Sequence, residues 1–322
     1  MIQASISSDP ISGSRFRGIL FGILAAVTYG MNPLFTLPVY RDGIQPDSVL
    51  FYRYSFGVLL LGGWMLFRRV SFFAALRDLP LLLTGGLLMA SSSLFLFLSY
   101  QKMDAGIAST LLFTYPILTA VFMALFFHEK AGWGTILSIV LAVSGVRILC
   151  RSGEGAVLNM TGVLFVFLSS LSYAIYLVSV KVTRMKQFSP ELLTFYSILF
   201  GFPLFLVRLD FGAALQPIST PLSWVCVLSL GLFPTIVSLA ATASAIRLIG
   251  PTSTAILGAL EPATAVFFGI LVFGEPLTIR LIFGLILIGS AAVLCALDGK
   301  QTPACHAVPA ETKETKETKE TH

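Results

Sequence analysis

Two of the few ionisable side chains inside the long apolar stretches of the sequence stand out: Arg53, in the run 47–67, and Glu261, in the run 252–273. A charged group near the centre of a lipid-spanning helix costs about 2.5–3.5 kcal/mol on insertion scales. Each is therefore expected to face protein or water. Glu261 falls nine residues past Thr252, roughly 13 Å along a helix and close to the middle of a bilayer. Pro262 follows it, lacks a backbone N–H and kinks a helix, which is expected to free a carbonyl near Gly258 for a ligand or water. A carboxylate there can bind an amine or take up a proton; equally, it can pair internally and fix helix packing. Arg53 lies six residues into its run, between Tyr52 and Tyr54. Its guanidinium offers a bidentate fork for carboxylate or phosphate. The opposing reading is a side chain snorkelling to the outer headgroups, with both tyrosines in an interfacial belt.

Weaker signals surround these two. Tyr29 and Asn32 lie three residues apart, as do Tyr173 and Tyr176, and an offset of 144 residues carries one pair onto the other. Residues three apart share a helical face, so each pair is read as a cavity wall or as packing between helices. Ser92, in the run Ser91–Ser93, can bond across helices or back to its own backbone. Four cysteines show no CxxC pattern, and two of the three histidines fall in the tail, so no metal or other cofactor is expected. A Cys150–Cys226 disulfide carries little weight. Neither HExxH, GxSxG nor a phosphate-cradling loop occurs, which argues against an enzyme and against direct ATP hydrolysis. Energy would come from a proton, an exchanged substrate or the cargo's own gradient.

The elements that position these residues follow from composition. The 322 residues are 56% hydrophobic and 11% charged, with a mean hydropathy of +0.88; a soluble domain is about 25% charged. Ten apolar stretches are long enough to be read as membrane crossings: 17–36, 47–67, 79–100, 105–127, 131–149, 160–181, 190–208, 223–247, 252–273 and 279–297. Their apolar residues run all round the helix, which argues for lipid over a soluble bundle. With the N-terminus inside, the inner loops carry Arg15, Arg17, Arg68, Arg69, Arg77, Lys130, Lys181, Arg184, Lys186, Arg247 and Lys300. The outer loops carry Arg41, Lys102, Arg147, Arg151, Arg208 and Arg280. This excess places both termini in the cytoplasm, in a bacterial-type inner or plasma membrane. The scattered basic residues form no patch for nucleic acid.

The two halves repeat. One offset of 146 sets Pro116 on Pro262 and Glu129 on Glu275; one of 144 sets Tyr52 on Tyr196 and Gly57 on Gly201. A repeat of five helices must re-enter the membrane with opposite polarity, and inverted repeats place a binding site at their interface near the midplane. The expected fold is therefore an all-α integral membrane protein of about ten transmembrane helices in two inverted five-helix repeats. Its parts are a cytoplasmic N-terminal segment 1–16, a first repeat 17–149, a linker 150–159, a second repeat 160–297 and a disordered tail 298–322. Small residues in the last helix, Gly284, Gly289 and Ser290, permit close helix contact and a homodimer.

The sequence DAGIASTLLFTYPILTAVFMALFFHEK, Asp104–Lys130, resembles the fourth-helix signature of the EamA-type drug/metabolite transporters. GPTSTAILGALEPATAVFFGILVFGEPLT, Gly250–Thr278, resembles the matching ninth-helix signature with its LEP and GE. The first copy departs in having Tyr115 where the second has Glu261, and His128 where it has Gly274. The resemblance covers roughly 18–297. It implies a carrier with a central cavity enclosed by helices one to four and six to nine, working by alternating access. It also implies efflux of amino acids or other metabolites; relatives carry nucleotide sugars, phosphorylated sugars or drugs. A zwitterion fits the opposite charges of Glu261 and Arg53, and Tyr115 joins the candidate wall. A membrane-embedded enzyme is the alternative from outside transport.

Overall fold

Prolines and small polar residues at the loop edges decide where each helix starts. In the computed structural model, which describes residues 10–102, 108, 111–112, 114–127, 132–149, 159–273 and 279–298, Pro46, Pro80, Pro190 and Pro221 sit in the first turn of their helices. That turn needs no N–H from them. Asn159, Ser189 and Thr220 cap their helices by accepting backbone N–H bonds, each worth about 1 kcal/mol. The resulting helices are α1 (Pro10–Gly30), α2 (Asn32–Arg41), α3 (Pro46–Phe67), α4 (Leu79–Ser99), α5 (Tyr115–Phe127), α6 (Trp133–Leu149), α7 (Met160–Val182), α8 (Pro190–Arg208), α9 (Pro221–Gly231), α10 (Ser238–Leu257), α11 (Leu260–Phe273) and α12 (Ile279–Asp298). No strand occurs among the described residues. Among the described residues, six helical segments are long and apolar enough to cross a membrane, and the shorter apolar helices Tyr115–Phe127, Trp133–Gly145 and Ile282–Ala291 join them. Large apolar side chains such as Phe67, Leu125, Phe126 and Trp133 point outward, as a lipid-facing surface requires. The protein is an all-helical membrane protein of about ten crossings.

Among the described residues three crossings are broken, each at a proline that cannot donate to the preceding turn. The first runs over Ser14–Arg41 rather than stopping at 36. It breaks at Met31, where Pro33 has no N–H to give, and resumes as α2. The eighth passes from α9 to α10 through a π-helical turn, Leu232–Val237, centred on Pro234. Leu230 O, which an α-helical residue 234 would have bonded, accepts instead from the Thr235 hydroxyl at 2.8 Å. Gly250, with φ of 84°, then turns the chain, a conformation only glycine takes freely. The ninth crossing breaks at Gly258–Ala259, just before Glu261 and Pro262. Pro203, by contrast, sits inside a continuous α8.

The inverted repeat is visible in the packing. Gly86 of α4 lies against Phe200, Ser197 O and Gly201 N; Gly231 of α9 lies against Phe56, Arg53 O and Gly57 N. An offset of 144 converts each partner of the one glycine into the corresponding partner of the other. Two tyrosines repeat the relation on opposite faces of the molecule. The Tyr52 hydroxyl donates to Gln216 O at 3.0 Å, and the Tyr196 hydroxyl donates to Phe72 O at 2.8 Å. Each bond ties one half to a loop of the other.

Candidate functional site at the crossing of the two halves

In an inverted repeat, residues that touch their own counterparts lie on the pseudo-twofold axis, which runs in the membrane plane. Two such pairs meet. Tyr29 on α1 and Tyr173 on α7 stack with ring centroids 6.3 Å apart and planes at 8°. The Tyr115 hydroxyl, at the start of α5, donates to Glu261 Oε1 at 3.3 Å. Tyr115 also packs edge-on against Tyr173 at 4.9 Å, so the two pairs form one cluster. Glycines make it possible. A Cβ on Gly258 would overlap the Tyr115 hydroxyl, and one on Gly30 would crowd Glu261 O and Thr264. The break in the ninth crossing therefore makes room for the tyrosine and begins the helix that presents the carboxylate.

The cluster walls a cavity lined by Tyr29, Gly30, Asn32, Pro33, Leu96, Tyr100, Leu112, Tyr115, Glu261, Pro262 and Ala265. About 30 Å³ of it is open to the centre of a water-sized sphere, room for about two waters. Glu261 has no cation within 4.0 Å among the described residues, whose ion pairs are Arg77–Asp78, Arg184–Asp78 and Arg208–Asp47. The carbonyl of Gly258, expected to be free, instead accepts the Glu261 N–H at 2.9 Å. The tight turn at 258–259 absorbs the bond that Pro262 could not supply.

Arg53 is 1% exposed and does not snorkel. Its α3 position faces the second half, where Nε donates to Thr235 Oγ1 at 2.6 Å and Nη2 to Pro234 O at 3.1 Å. Nη1 donates to Asn32 Oδ1 at 3.0 Å, and the guanidinium lies over the Phe97 ring at 5.8 Å. Asn32 thus joins Arg53 to the cavity. The π-helical turn supplies two of these three acceptors, although in the sequence Pro234 signals no more than a bend. The other candidates lie elsewhere. Tyr176 pairs with Ser197 at 3.3 Å, and Ser92 pairs with Ser169 at 3.2 Å between α4 and α7; neither lines the cavity. Cys226 is a buried free thiol. Cys150, His128, Glu129, Gly274, Glu275 and the tail lie outside the described residues.

On one face of the molecule, polar contacts tie the end of α2 and the start of α3 to the second half. Arg208 forms a bidentate pair with Asp47 at 2.6 and 3.0 Å. Asp42 accepts from the Thr220 and Ser223 hydroxyls, both at 2.6 Å. The Ser223 bond, and then the Thr220 bond, hold the Asp42 carboxyl below its usual range.

Comparison with known proteins gives one consistent result. The profile of the EamA-like transporter family matches residues 16–151 and again residues 160–297. An uncharacterized transporter of Archaeoglobus fulgidus is 28% identical over 277 residues, 84% of this chain and 94% of that protein. The uncharacterized transporter YdfC of Bacillus subtilis is 26% identical over 252 residues, 77% of this chain and 81% of its own. Human solute carrier family 35 member G1 matches at 22% over 134 residues, 42% of this chain and 36% of that one. A crystal structure aligns over 87% of this chain and 96% of its own with a TM-score of 0.75. At 16% identity this likeness establishes the fold alone.

Proposed function

The chain belongs to the EamA-like transporter family, and on that premise we propose that it is a secondary carrier exporting an amino acid or related small metabolite by alternating access. The observation that supports this most is the carboxylate on the axis. Glu261 meets its own counterpart Tyr115 beside the cavity and has no cation partner among the described residues. A carboxylate at mid-membrane without a counter-ion is suited to take a substrate amine in one half-cycle and a proton in the other. The cavity as it stands admits water but no metabolite, so loading requires the halves to part. The breaks at Met31, Pro234 and Gly258 are where bending would occur. In this reading the membrane is a bacterial-type inner or plasma membrane and both termini are cytoplasmic, supported by the excess of Lys and Arg in the inner loops. That makes the Asp42 face the outer one.

The test is counterflow of a labelled amino-acid mixture in liposomes, with Glu261→Gln run alongside. Wild-type uptake with loss in the variant is the expected outcome. A variant that exchanges at the wild-type rate with unchanged pH dependence removes Glu261 from the cycle. Uptake of drugs, nucleotide sugars or phosphorylated sugars alone would keep the carrier and discard the amino acid.

A further inference from the structure

The molecule contains an internal control for Arg53. The offset of 144 carries Arg53 onto Ser197 and Asn32 onto Tyr176, and the two pairs hydrogen-bond alike: Arg53 to Asn32 at 3.0 Å, Tyr176 to Ser197 at 3.3 Å. Gly231 rests on Arg53 O as Gly86 rests on Ser197 O. The same backbone packing is thus made in the second half with neutral hydroxyls, so the fold does not require a cation at this place. Yet the first half buries one, 1% exposed. Among the described residues no carboxylate lies within 4.0 Å of it, and three neutral oxygens are its partners. A buried charge without a counter-ion is costly. Asn32, which is bonded to Arg53, and Thr36 stand one turn apart on α2, 3% and 2% exposed. Asn32 Nδ2 and Thr36 Oγ1 have no hydrogen-bond partner among the described residues, and Asn32 lines the cavity.

We propose that Arg53, Asn32 and Thr36 form the subsite for the carboxylate of the transported compound. Asn32 accepts from Arg53 through Oδ1, which polarises its Nδ2–H₂ as the donor to the anion; Arg53 supplies the charge behind it. Thr36 offers a hydroxyl one turn further along the same helical face. With Glu261 in the same cavity, the cargo is a small zwitterion, carrying a carboxylate toward α2 and an amine toward α11. This rests on the carrier reading above.

The experiment is counterflow of labelled amino acids in liposomes, competed by unlabelled amino acids or by their carboxamides, for wild type and Asn32→Asp. Aspartate places an anion beside Arg53 from within, so the variant is expected to fold with an unchanged or higher melting temperature. For the wild type, amides should compete about tenfold or more weakly than acids. In Asn32→Asp that preference should vanish. Equal competition by acids and amides at the wild type, or an intact acid preference in Asn32→Asp, overturns the subsite while leaving the carrier in place. Exchange confined to amines without a carboxylate does the same. No exchange of any amino acid or amide overturns both.

Discussion

At the scale of single residues, the site depends on which positions break the symmetry. Glu261 could be read from the sequence because an acid within twenty apolar residues must have a reason to be there. Its contact with Tyr115 was not: the offset of 146 makes the two positions equivalent, and equivalent positions of an inverted repeat touch only where they lie on the axis. Other features were not readable. Gly258 resembles any helix-breaking glycine until the Tyr115 hydroxyl is seen to occupy the space its side chain would fill. Gly258→Ala should therefore push Tyr115 away from Glu261 and destabilise by about 1–3 kcal/mol through overpacking. Thermal melting in detergent measures the loss, and a transport defect larger than the stability loss explains would show that the Tyr115–Glu261 bond matters to the cycle. The depth of Arg53 was also hidden. Six residues from a helix start reads as near the headgroups, but α3 turns that face toward the second half, where Pro234 and Thr235 receive it.

At the scale of elements, hydrophobic length located the crossings but not their breaks. A run such as 17–36 looks like one helix; the break at Met31 and the continuation to Arg41 depend on where the lost Pro33 bond is absorbed. The π-helical turn is likewise set by one hydroxyl, that of Thr235, replacing one missing N–H, and no periodicity announces that. Caps were more readable, since Asn159, Ser189 and Thr220 each precede an apolar run. Besides capping α9, Thr220 joins Ser223 in holding Asp42, which fastens the end of α2 to the start of α9. Asp42 titrates below its usual value in the folded protein, so its ionised form stabilises the fold. That contribution is full above the unfolded carboxyl value of about 3.9 and is lost as pH falls through the lower folded value. Asp42→Asn should melt below the wild type at a pH of about 6, well above that unfolded value, and the gap should close as the pH is taken toward the folded value.

At the scale of the whole molecule, the two tyrosine bonds oppose each other. Tyr52 holds a loop of the second half on the Asp42 face, and Tyr196 holds a loop of the first half on the opposite face. Each bond is worth about 1 kcal/mol, so in the proposed alternating-access cycle removing one hydroxyl should shift the balance between outward-open and inward-open forms about fivefold. Tyr52→Phe and Tyr196→Phe should shift it in opposite directions, read as labelling of a cysteine placed in the cavity from one side of the membrane or the other. Shifts of the same sign would show that the tyrosines serve stability alone. The divergence of the axis pair has an electrical consequence. Had duplication left a carboxylate at both 115 and 261, two acids a hydrogen bond apart could not both ionise. In the proposed exchange, the one acid of this pair takes up a single proton per turnover. Return of that proton against a net-neutral zwitterion would move one positive charge inward per cycle. Export by such a carrier would then be a current, accelerated by an inside-negative potential even when the pH is equal on both sides.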